Sequence, residues 1–66
     1  MSVKVSWEDN EEELKLREDD RVRDIFDKID VNPETVIVEK DEEVVSLEEK
    51  LEGDDKIRLI NVVSGG

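Results

Sequence analysis

Only one stretch of this chain repeats at helical spacing. Val22, Ile25, Phe26 and Ile29 fall at i, i+3, i+4 and i+7, one apolar stripe with Arg21, Arg23, Asp24, Asp27 and Lys28 outside it. Most other apolar residues sit in short segments that alternate with polar ones, as half-buried strands do. One helix can cover only one face of a sheet, so the pattern predicts an α+β fold: a mixed sheet of four to five strands with one main helix packed on one face.

The segments follow in order. Val3, Val5 and Trp7 alternate in a first strand, and Leu14 and Leu16 in a second over 13–17, with the acidic run Glu8 to Glu12 as the hairpin loop. Asp19 and Asp20 precede a helix expected from Arg21 to Asp30, as acids at a helix start accept free backbone N–H groups. Pro33 turns Asn32 away from helical angles. Thr35 to Glu39 is β-branched and reads as a third strand, with Val36 and Val38 inward and Ile37 outward. Lys40-Asp41-Glu42 turns the chain, and Glu43 to Val45 forms a short fourth strand. Ser46 and Glu49 fit a capping box around one helical turn pinned by Leu47 and Leu51. After a turn at Gly53-Asp54-Asp55, Lys56 to Ile60 alternates as the last strand. The expected core is Val3, Val5, Leu14, Leu16, Val22, Ile25, Phe26, Ile29, Val36, Val38, Leu47, Leu51, Ile57 and Leu59, with Trp7 at its edge.

With 66 residues the chain makes one small domain. A core that buries only about 60% of the unfolded surface leaves no room for a deep catalytic pocket as well. The sequence contains no cysteine and no histidine. That removes thiol nucleophiles, disulfides, thiolate metal sites, the usual general base and the commonest metal ligand. The chain therefore reads as a non-enzyme without a cofactor of its own. Its net charge of −11, from 21 acidic and 10 basic residues, disfavours nucleic acid and anionic membrane and favours a basic face on a partner protein. The same acidity would suit a salty cytoplasm. No apolar run reaches the roughly 20 residues of a membrane span and no signal peptide is visible, so a cytoplasmic protein is expected, and the strong acidity favours a monomer.

The last strand leads without a linker into Val62-Val63-Ser64-Gly65-Gly66. Glycine lacks a Cβ, so such a tail can enter a narrow slot in a partner and present the Gly66 carboxylate there. The plain alternative is a frayed end. The division expected is a domain over 1–60 and a flexible tail over 61–66.

This arrangement resembles the ubiquitin-like β-grasp family. The VVSGG ending is similar to that of the ThiS and MoaD sulfur carriers and of the small archaeal ubiquitin-like modifiers, and the stretch Asp30 to Val38 resembles the archaeal modifiers in particular. The resemblance implies that a ubiquitin-activating-type adenylyltransferase, which binds the ATP itself, adenylates Gly66. Sulfur transfer then gives a thiocarboxylate for tRNA thiolation, molybdopterin or thiamine synthesis. Alternatively, lysine attack conjugates the chain to a target protein. Asn61, between Ile60 and Val62, departs from the more apolar approach to the glycines in ThiS and MoaD. A rival reading is a non-covalent adaptor of the same fold.

Ile37 and Ile60 fall on the sheet face away from the helix, and with Val62, Val63 and Ser64 they are the expected partner-binding residues, although isolated exposed isoleucines are common. The acidic runs lack the ligand spacing and glycine turn of a calcium loop and read as solvated faces.

Overall fold

The computed structural model describes residues 1–62. Five strands form one sheet: β1 (Ser2–Trp7), β2 (Asn10–Lys15), β3 (Val36–Lys40), β4 (Glu43–Val45) and β5 (Lys56–Asn61). Their order is β2-β1-β5-β3-β4. β5 is the middle strand, parallel to β1 and antiparallel to β3, whereas both hairpins are antiparallel. Parallel neighbours need a long crossover. Here the crossover is everything between residues 8 and 55, including the helix α1 (Val22–Ile25) and a 3₁₀ turn at Pro33–Thr35.

Alternation decides what faces inward. Val3, Val5, Val38, Ile57 and Leu59 from the sheet pack with Val22 and Ile25 of α1 and with Leu16 and Leu51, all buried. Leu14, Phe26, Ile29 and Val36 line the margin half-buried, joined by Met1, Trp7, Val31 and Val45. The α+β expectation holds, and so does most of the expected core.

Three local expectations need correction. The β1–β2 loop is only Glu8 and Asp9, because Trp7 pairs with Asn10; Glu11, Glu12 and Glu13 are strand residues, not loop. β2 is an edge strand, and acidic side chains there stay in water whichever way they point. The helix is four residues long instead of running to Asp30. Beyond it the N–H groups of Phe26, Asp27 and Lys28 bond three residues back, to Arg23, Asp24 and Ile25. This keeps Phe26 and Ile29 against the core in a tighter winding. The cap also differs: Asp20 Oδ2 accepts the Arg17 N–H at 2.8 Å, and Asp24 Oδ2 accepts the Arg21 N–H at 2.7 Å.

The third concerns 46–50. Ser46 Oγ accepts the Glu48 N–H at 3.3 Å, but the Glu49 carboxylate pairs with Lys40 Nζ at 3.1 Å instead of reaching back. Leu47 is exposed, not a pin. The segment is a turn whose backbone serves the helix: the Glu49 and Leu47 carbonyls accept the Val22 and Arg23 N–H groups. The first N–H groups of a helix have no partner within it, and here the neighbouring turn supplies the acceptors.

Candidate functional site

The site is built on the end of β5. As the middle strand it is bonded on both edges, and Cα partners Val36–Asn61 and Ile37–Ile60 fix its register against β3. Asn61 thus belongs to the strand, although the sequence reading began the tail there. The ladder runs one residue further: the Val62 N–H donates to the Thr35 carbonyl at 3.0 Å. Thr35 is itself anchored, its N–H and hydroxyl both donating to the Asn32 carbonyl, at 3.0 and 2.8 Å. The chain that leads to the glycines therefore leaves from a pinned base. Val63, Ser64, Gly65 and Gly66 lie outside the described residues.

The register places Ile37 and Ile60 side by side on the face away from the helix. Ile37 is 39% exposed, Ile60 half-buried, and Val62, next on the same side of β5 by alternation, is 45% exposed. Three of the expected partner-binding residues thus meet at the base of the tail. Val44 on β4, 69% exposed and paired with Glu39 of β3, lies on the same face. Sequence reading did not single out Val44, though inward alternation of Val45 would have placed it outward. The centre of this face carries cations: Lys4 pairs with Lys56, and Arg58 lies beside Ser6. Neither of the two ion pairs found among the described residues, Arg23–Glu48 and Lys40–Glu49, belongs to this face.

On the inner side of the same sheet end lies a depression of about 240 Å³ bordered by Trp7, Glu8, Asp30, Thr35 and Asn61. Trp7 is half-buried, so it serves the core edge while lining this opening. Among the described residues no group of His, Cys, Asp and Glu is arranged to hold a metal ion. No helix among them is long and apolar enough to cross a membrane.

A five-stranded mixed sheet with its final strand in the middle and a helix on one face is the β-grasp architecture, and this one is of the ubiquitin-like class. The structure of SAMP1 from Haloferax volcanii superposes on it with a TM-score of 0.77 over 100% of both chains, at 17% identity. The sequence profile of the ThiS family matches residues 4–66, and the chain belongs to that family. It is also similar to the sulfur carrier protein TtuB of Thermus thermophilus, at 28% identity over 54 residues, 82% of this chain and 83% of that protein.

Proposed function

We propose that this protein is a sulfur carrier and small modifier whose reacting group is the carboxylate of Gly66. The carboxylate oxygen attacks the α-phosphorus of ATP held by a ubiquitin-activating-type adenylyltransferase, and pyrophosphate leaves. A sulfur donor at the sulfide level then displaces AMP from the acyl-adenylate and leaves a thiocarboxylate. Alternatively, a target lysine amine displaces it and forms an isopeptide bond. A carboxylate is a poor electrophile until adenylated, and a thiocarboxylate is a soft nucleophile that a chain without cysteine cannot otherwise offer. The nucleotide site and all catalytic groups belong to the partner, and the setting is the cytoplasm.

The observation that carries this reading is the pinned exit of β5. The middle strand stays bonded to Val62, four residues short of Gly66, beside the patch of Ile37, Ile60 and Val62. A rigid base makes the position of the tail depend on where the domain docks, and the patch supplies a docking surface next to it. Membership of the ThiS family and likeness to TtuB support the sulfur branch.

The test is intact-mass spectrometry after incubation with the activating enzyme of the same organism, ATP and a sulfur donor. The expected product is heavier by the replacement of one oxygen with sulfur, and a variant lacking Gly65 and Gly66 gives none. Gly66 recovered on lysines of other proteins establishes the modifier branch. If the deletion variant keeps full activity in cells, the protein is a non-covalent adaptor and the proposal is wrong.

A further inference from the structure

The depression beside the end of β5 has a composition that chemistry at the Gly66 carboxylate does not use. Its apolar surface comes from Leu59, which is buried, and from Trp7, Val31 and Val36, which are half-buried; Glu8 and Asp30 are exposed at its border. No lysine or arginine lines it. At about 240 Å³ it falls below the roughly 300–1,000 Å³ of small-molecule sites but has ample room for one long side chain. Its acids do not form a metal-binding group. Asn61 and Thr35 line it, and Thr35 holds the Val62 N–H, so the tail begins at its edge. The four residues that follow Val62 span at most about 14 Å. Any protein that holds the terminal carboxylate therefore passes close to this opening.

We propose that the depression receives a lysine or arginine side chain of the enzyme that activates Gly66, a contact that rests on the carrier reading. The methylene stem lies along Trp7 and Val36, where apolar surface would otherwise stay wet. The cation sits over the indole and between the Glu8 and Asp30 carboxylates. A neutral apolar side chain would leave both carboxylates facing low-dielectric protein, so the opening selects a cation. The net charge of −11 draws the same partner in from a distance.

Two features make the test clean. Trp7 is the only tryptophan, so ¹⁵N-labelled protein gives one indole signal from the depression itself. Glu8 has a φ of 51°, a left-handed conformation that asparagine adopts more readily than glutamate, so Glu8→Asn removes the charge without straining the turn. Wild-type protein is first shown to be adenylated through ATP-dependent pyrophosphate release. Its indole signal is expected to shift on titration with unlabelled enzyme. The Glu8→Asn/Asp30→Asn variant is expected to bind about ten-fold more weakly, and Glu11→Gln/Glu13→Gln, an equal charge change on the edge strand β2, within about two-fold of wild type. An unmoved indole signal, or equal loss in the two double variants, overturns the cation site and leaves the carrier reading intact. Failure of wild type to be adenylated overturns both.

Discussion

Ile25 and Leu47 are similar in size and opposite in setting. Ile25 is fully buried in the core, whereas Leu47 is 37% exposed on a turn. Truncating a buried isoleucine loses its transfer energy and leaves a cavity, so Ile25→Ala is expected to cost about 2–5 kcal/mol. Leu47→Ala is expected to cost less than about 1 kcal/mol, as surface changes do. Urea unfolding followed by Trp7 fluorescence checks both, and equal losses would contradict the exposed placement of Leu47. The tryptophan is itself half-buried at the edge of the core, which makes it a reporter of that unfolding. At this scale Val22 and Ile25 were legible because helical spacing names the inward face. Leu47 was not, since leucine beside a Ser-Leu-Glu-Glu pattern suits a helical turn as well as the turn that forms.

The elements show why local pattern overreached. Asp24, Asp27 and Asp30 recur every three residues, and such acids oppose one another and the carbonyl end of a helix. The segment answers by tightening to three-residue hydrogen bonds after Ile25. The 46–50 turn is likewise governed by its neighbours. It is tied to β3 by Lys40 Nζ, which donates to Glu49 at 3.1 Å and to the Lys50 carbonyl at 3.3 Å. It is tied to the helical segment by Arg21 Nη1, which donates to the Glu48 carbonyl at 2.7 Å. The hydrogen bond to Glu49 raises the Lys40 pKa above the ordinary 10.5, against a smaller opposing effect of burial and with help from Asp55, Glu49 and Glu52. A raised pKa stabilises the fold fully below the unfolded value and loses that contribution as pH climbs through the folded one. Lys40→Gln is therefore expected to be less stable than wild type at neutral pH, with the gap closing above pH 10.5. Urea midpoints of both proteins across the alkaline range measure it; a gap that widens there would contradict the assignment.

As a whole molecule the protein carries far more negative charge than it pairs. Against a net charge of −11, two ion pairs form among the described residues. Self-repulsion of this kind destabilises the compact state and is screened by salt, whose Debye length falls from about 10 Å at 0.1 M to about 3 Å at 1 M. The thermal midpoint is expected to rise by several degrees between those concentrations, read by circular dichroism. An unchanged midpoint would show that the acids lie too far apart to repel. The same screening is expected to weaken docking of a basic partner, so fold stability and partner affinity respond to salt in opposite directions.

The sequence by itself determined the inventory and the periods: one helical stripe among alternating segments, a last strand running into two glycines, no cysteine and no histidine. Those features act locally, and strict alternation leaves little choice about which side of a strand faces inward. Tertiary structure decided what depends on residues distant in the chain. Only the β3–β5 register sets Ile37 beside Ile60, and only the parallel pairing of β1 with β5 brings Trp7 and Leu59 to one opening. Hydrogen bonds from α1 to the 46–50 carbonyls settled the fate of both segments at once. Pairing partners as far apart in the chain as Trp7 and Leu59 are chosen by the shared core they bury, and that core exists only when every element is in place.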